Sequence, residues 1–453
     1  MLNGKNMKNI YNIIYTLIVI CFLNATIVCN IDEVTSVIIS FVIWCVYVYI
    51  IATRCNKYIF LVLPFVFSYS SAIIAELYFE LNNLYIIEIN EFTRATGALS
   101  RLVLYDVLFF SSAYWIYTKL VDDKTDLVLE IQREKVIWII FLLLSIALIV
   151  GLWIYGSPVL NGQDRYAYWF LDVQDPFIKA IHYNYAIAIL LLSFLFDERR
   201  KIVVICIIIA AIITMLGGEK FTQFINWIFY FMMVYFVRHE VILSSKIKVK
   251  LFFVFSSIII ILICLISYHY TELSGSSDAL EDMFIMRFAS QGQIWWGVDK
   301  LISDLDNNVD VFFQEMHYWL DFKLDEDIIY NFGMYKVMSV ISTQERVLRY
   351  LDLGIRFTLG WPGVGLYYFG YFGLIFAQLI FGTLLGWWCA ITYKVIKKAN
   401  IVKVLILIEL YRYLVEAFVM GNMYVLFSIK GLAFVLAYIT VDRFKMDRGI
   451  AKV

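Results

Sequence analysis

Two clusters in one long polar stretch hold the residue types best suited to chemistry. In the first, Asp278 to Leu301, the residues Leu280, Phe284, Arg287, Gln291 and Trp295 recur at spacings of four, three, four and four. That spacing predicts a helix with all five on one face. A guanidinium is a planar fork that pairs with phosphate, and an indole offers a flat apolar face to a sugar ring. The same stripe also describes a helix lying on a bilayer, with Trp295 and Trp296 at the interface. The second cluster is Glu345-Arg346-Val347-Leu348-Arg349-Tyr350-Leu351-Asp352, followed by Arg356. Arg346 and Arg349 neighbour each other on a helix, with Asp352 three residues from one and four from Arg356. This is either an exposed salt-bridged helix or a basic lip over a pyrophosphate.

Between the clusters, Glu315 and His317 are the natural candidates for a general base, although a lone loop histidine is more often structural. Arg165 stands in Asn161-Gly162-Gln163-Asp164-Arg165-Tyr166, and a single arginine in a loop is usually solvated. Lys220 closes Gly217-Gly218-Glu219-Lys220, a break between two short apolar runs. The helix after the break begins with unpaired N–H groups, so with Lys220 it could hold an anion. The alternative is a tight hairpin whose lysine snorkels to the headgroups. Glu409, Arg412 and Glu416 share one face of an apolar run and are expected to pair among themselves, and Asp106 is a structural carboxylate of the same kind. Gly382 and Gly386 are expected close-packing positions. No Gly-rich phosphate loop, His-Glu-x-x-His or serine elbow is present. Cysteine spacing offers neither a zinc site nor a disulfide framework. An enzyme of this sequence is therefore expected to need no cofactor, no metal and no nucleotide.

The elements that position these residues are membrane helices. Of 453 residues, 62% are hydrophobic and only 17% charged, with mean hydropathy +0.78. One soluble core could not bury that much apolar surface. Runs near 10–29, 34–53, 58–75, 102–118, 136–155, 180–196, 202–216, 221–237, 251–268, 364–391, 404–420 and 424–441 predict an all-α polytopic membrane protein of about twelve transmembrane helices. The run at the N-terminus, with Lys5 and Lys8 before it, is read as an uncleaved first span. Basic clusters at Arg199-Arg200-Lys201, Lys246–Lys250, Lys394–Lys398 and Arg443–Arg448 orient the chain with both termini cytoplasmic. Three segments are then external: short loops at 76–101 and 156–179, and one large periplasmic or external loop over 269–361. Residues 1–268 carry helices 1–9, and residues 362–453 carry helices 10–12 and a cytoplasmic C-terminus. Net charge is −1, and nothing suggests a nucleic-acid partner.

The stretches Arg287-Phe-Ala-Ser-Gln291-Gly292-Gln293-Ile-Trp295-Trp296 and Arg356-Phe-Thr358-Leu-Gly360-Trp-Pro362, with Arg165 and the break at Lys220, resemble Wzy-type O-antigen polymerases, relatives of the O-antigen ligases. The likeness covers roughly residues 130–440 and lies in topology and scattered residues, with Lys220 where a related enzyme often carries arginine. It implies a glycosyltransferase in the bacterial inner membrane that moves a growing glycan from one undecaprenyl-pyrophosphate carrier to a fresh lipid-linked repeat unit. Such polymerases commonly work with a chain-length regulator. The resemblance implies that Arg287, Arg346, Arg356 and Lys220 stabilise the departing pyrophosphate and that Arg165 helps hold the second carrier. Glu315 or His317 then takes the acceptor proton, while Gln291, Trp295 and Arg349 complete the glycan and pyrophosphate contacts. A lipid-linked oligosaccharide flippase, which would favour short external loops, and an O-antigen ligase, which shares the topology, are the rival readings. A membrane acyltransferase lacks its histidine motif here.

Overall fold

The computed structural model describes residues 4–27, 33–121, 134–163, 168–218, 222–239, 290–302, 308–318, 326–352 and 356–450. The predicted span at 251–268 lies outside them. The chain divides into two compact units. The first comprises Met1–Asp123, Ile263–Ile391 and Ile406–Val453, and the second Lys124–Leu262 and Thr392–Leu405.

Helices dominate both. In chain order they are α1 (Gly4–Ile27), α2 (Glu33–Arg54), α3 (Asn56–Leu81), α4 (Ala98–Leu120), α5 (Glu134–Tyr155), α6 (Pro176–Asn184), α7 (Ala186–Phe194), α8 (Arg200–Leu216) and α9 (Thr222–His239). Then come α10 (Gln293–Leu301), α11 (Val309–His317), α12 (Glu326–Ile329), α13 (Gly333–Ile341), α14 (Gln344–Asp352), α15 (Gly363–Lys397), α16 (Ile401–Phe418) and α17 (Ile429–Ile450). A short hairpin, β1 (Tyr85–Ile86) and β2 (Glu91–Phe92), joins α3 to α4.

The chain is a helical membrane protein. Among the described residues five helices are long and apolar enough to cross a bilayer, or six if the bent pair α6–α7 is one span. Their outer faces carry the expected signature: Leu142, Leu143, Ile146 and Trp153 of α5 are all exposed, which lipid tolerates and water does not.

With no water to drive helices together, packing and interhelical hydrogen bonds must hold them. In the first unit, the Asn24 amide donates to Ser40 Oγ at 2.7 Å, and the Ser36 and Ser100 hydroxyls meet at 2.9 Å. These buried bonds tie α1, α2 and α4. Gly382 and Gly386 bring α15 backbone-to-backbone against α4. A Cβ at either position would stand 2.3 Å from Phe109 O or 2.2 Å from Ala113 O, so the close packing expected of this pair is met. Farther up α15, Gly370 (φ 64, ψ −179) interrupts the helix in a conformation that only glycine takes readily.

In the second unit, the run predicted as one helix over 180–196 forms two helices bent by 44°. The bend lies at Tyr185, where i→i+3 bonds replace the α-helical pattern: Tyr185 N donates to His182 O and Ala188 N to Tyr185 O. The Tyr185 hydroxyl also bonds Ser145 of α5 at 2.7 Å, fixing the corner. As expected, α8 ends at Leu216 and a turn follows at Gly217–Gly218, while 219–221 lie outside the described residues. Trp169 packs beside this turn, donating to Gly217 O at 2.8 Å and stacking on His182 with centroids 3.8 Å apart. Lys220 and Arg165 lie outside the described residues, as does Arg287 in the first unit.

Candidate functional site

The described parts of the polar stretch before α15 fold onto helices of the first unit. Helix α10 begins only at Gln293, after a turn at Ser290–Gly292, so Gln291 and Trp295 do not share one continuous helix. Gly292 explains the interruption: glycine is a poor helix former, and here it presses on α3, with Glu76 Oε1 only 3.1 Å from where a Cβ would be. Trp295 is 2% exposed, donates to Ala98 O at 2.8 Å and meets Tyr105 edge-on. It anchors α10 to α4 and presents no face to a sugar or to lipid. Trp296 is fully buried against Phe79.

Asp299 of α10 completes this anchor. Its two oxygens accept from Arg101 Nε at 2.7 Å and Nη2 at 2.5 Å, and Tyr371 OH donates to Oδ1 at 3.0 Å. Removing one partner of such a buried bidentate pair leaves the other charge uncompensated, which commonly costs about 3–5 kcal/mol. Asp299→Asn is therefore expected to lower the melting temperature of the detergent-purified chain sharply, with Arg101→Gln added on top restoring part of it. An unchanged melt for Asp299→Asn would show that the pair is not holding α10.

The hairpin is held from the other side. Lys300 pairs with Glu91, the Ser342 hydroxyl donates to Glu88 O, and Arg346 donates to Ile87 O. Arg346 thus has a structural acceptor, whereas Arg349 is exposed on α14. Helix α14 is described to Asp352 and Arg356 is not helical, so the expected Asp352–Arg356 spacing on one helix does not occur.

Arg356 meets Glu416 instead. Its Nη1 lies 2.5 Å from Glu416 Oε1, to which Asn422 Nδ2 also donates at 2.5 Å. The pairing expected within Glu409, Arg412 and Glu416 therefore holds only for Arg412 and Glu409, at 3.2 Å. Burial pulls the Arg356 guanidinium down, but Glu416 more than reverses this and keeps it firmly charged. The side chains of Arg356 and Glu416 remain 30% and 32% exposed, so the pair forms an open rim. Independent bonds hold the segment behind it: Gly360 N donates to Val419 O at 2.7 Å, and Thr358 Oγ1 to Ser290 O at 2.6 Å. The second bond brings the turn that carries Gln291 to the Arg356 segment.

Glu315 lies deeper in the same neighbourhood. It is fully buried, accepting from Tyr368 OH at 2.6 Å and from Tyr424 N at 3.0 Å. Tyr368 OH in turn accepts from Gly333 N at 2.7 Å. Burial raises the Glu315 carboxyl, these hydrogen bonds lower it again, and the balance leaves it at about 7. His317, two residues on and so on another face of α11, is exposed and, among the described residues, bonds Phe313 O of its own helix. The two candidate bases thus stand apart, one enclosed and one outside.

A folded-state value near 7 against an ordinary 4.5 has a signed consequence. The neutral carboxyl suits the fold, so its contribution is complete below pH 4.5 and disappears as pH rises through 7. The loss is about 3 kcal/mol. Melting of the purified chain is expected to fall between pH 5 and 8, and Glu315→Gln to flatten that fall. Equal slopes for both proteins would contradict the assignment.

A family model described as a family of unknown function, DUF6418, matches residues 328–435. Neither the curated proteins nor the solved structures give a match. The matched stretch contains Arg356, Tyr368, Glu416, Asn422 and Tyr424, and begins after Glu315. Sequence reasoning missed Glu416 as a site residue, because its partner stands 60 positions away. The extra glutamate that i, i+3 pairing of Arg412 with Glu409 leaves over was the available signal. One further carboxylate, Asp106 of α4, is fully buried with no hydrogen-bond partner among the described residues, and Glu76 of α3 is fully buried beside the Trp296 backbone N–H.

Proposed function

We propose that this chain is a polymerising glycosyltransferase of the bacterial inner membrane, acting on glycans carried by undecaprenyl pyrophosphate. One observation carries the reading: the partly exposed Arg356–Glu416 pair, a fixed guanidinium and a carboxylate 2.5 Å apart near the end of α16. The fork of Arg356 binds pyrophosphate oxygens and stabilises their charge as the glycosyl bond breaks. The arriving phosphate displaces Glu416 from Arg356, and the freed carboxylate takes the proton of the attacking sugar hydroxyl. Glu315 supports the rim from behind through Tyr424. Arg287 supplies further charge on the carrier, and Gln291 and Arg349 further polar contacts. The sugar–pyrophosphate bond provides the energy, which accords with a sequence lacking a nucleotide loop. About twelve spans, cytoplasmic termini and an external 269–361 segment belong to this reading, as does a chain-length regulator as partner.

The test is a deletion strain whose surface glycan and lipid-linked intermediates are extracted together. A single repeat unit replacing the long ladder is expected. Bare acceptor with long polymer still on its carrier would make the chain a ligase, and trapped single units would make it a flippase.

A further inference from the structure

Helices α1, α4 and α15 of the first unit line an open groove of about 880 Å³. Its lining is apolar along most of its length, with Ile14, Leu108 and Ile380 among the walls, while Trp115 and Lys119 lie in the last two turns of α4. The groove opens to the outside of the bundle, where Ile380 is 63% exposed. Lys119 Nζ sits 3.7 Å from the centre of the Trp115 ring, and no described carboxylate pairs with it. An amphipathic ring beside a cation at one end of an apolar channel is the arrangement of a membrane–water boundary.

Dimensions narrow the occupant. From Leu108 to Lys119 the channel follows α4 for about 16 Å at 1.5 Å per residue, close to half of a hydrocarbon core about 30 Å thick. Lys119, with no described carboxylate beside it, adds a positive charge at the end of this apolar length, the complement of an amphiphile with an anionic head. We propose that this groove is a binding site for one anionic phospholipid, its acyl chains lying against Ile14, Leu108 and Ile380 and its phosphate on Lys119. The site is independent of the proposed polymerase activity and lies on other helices than the Arg356–Glu416 rim.

Native mass spectrometry of the full chain, titrated with phosphatidylglycerol or phosphatidylcholine of the same acyl length, tests this. The wild type is expected to retain the anionic lipid about fivefold better, the worth of one lysine at a lipid surface. Lys119→Ala, an exposed change, is expected to bring both lipids to the same level. Thr383→Trp, which fills the groove from α15 and leaves Lys119 in place, is expected to remove both. Equal retention of the two lipids by the wild type, or a preference that survives Lys119→Ala, would overturn the proposal. So would a dimer peak abolished by Thr383→Trp, or a polyprenyl phosphate displacing phosphatidylglycerol at equal concentration.

Discussion

Arg356→Ala is expected to shorten the surface glycan to one or a few repeat units, with polymerisation slowed about 10²–10³-fold, the usual consequence of losing one charge contact to a leaving group. The effect should be chemical and not structural. The Arg356 segment is tied to α16 by Gly360 N and to the Ser290 turn by Thr358, and neither bond involves the guanidinium. Arg356→Lys retains the charge but loses the fork that grips two phosphate oxygens, so an intermediate ladder is expected. The measurement is glycan length in a deletion strain complemented at matched membrane levels. A full ladder from Arg356→Ala would remove the residue from the mechanism.

The second large effect belongs to Glu416. Glu416→Gln keeps the size and an oxygen for Asn422, but it removes the negative charge that takes the acceptor proton. Loss of a positioned general base typically costs about 10²–10⁴-fold in rate. The control is Glu409→Gln on the same helix, which alters only the pair with Arg412 and is expected to leave chain length unchanged. Equal defects in both variants would mean that charge on α16 serves packing, and the role assigned to Glu416 would fall.

Much of the membrane architecture was legible because apolar runs record their own length. The runs at 34–53, 102–118 and 136–155 lie within helices Glu33–Arg54, Ala98–Leu120 and Glu134–Tyr155. Gly382 and Gly386 were legible for a related reason, since a missing Cβ every four residues has few uses other than close approach. The outer face was harder to read. A stripe of Phe284, Gln291 and Trp295 reports that one side will be covered but not by what, and in Trp295 the cover is the start of α4. Gly292 was in plain view, and its contact with α3 is the tertiary fact that ends the predicted periodicity. Likewise, the predicted run at 424–441 becomes a 3₁₀ turn, Met423–Phe427, before α17 begins at Ile429. That turn matters to the site because Tyr424 N is one of the donors to Glu315. The Arg356–Glu416 contact joins a non-helical segment to a helix end 60 positions later. Helical spacing describes neighbours on one element and carries no information about such a pair. Arg356 could be nominated from its neighbours; Glu416 could be noticed only as the glutamate left over beside Arg412, with no hint of its partner.

The most direct test is reconstitution of the purified full chain in liposomes with a single lipid-linked repeat unit and no nucleotide. The account predicts products of two, three and more repeats on one carrier, with free undecaprenyl pyrophosphate released once per bond formed. Repeat units that stay single while crossing from one leaflet to the other would contradict it.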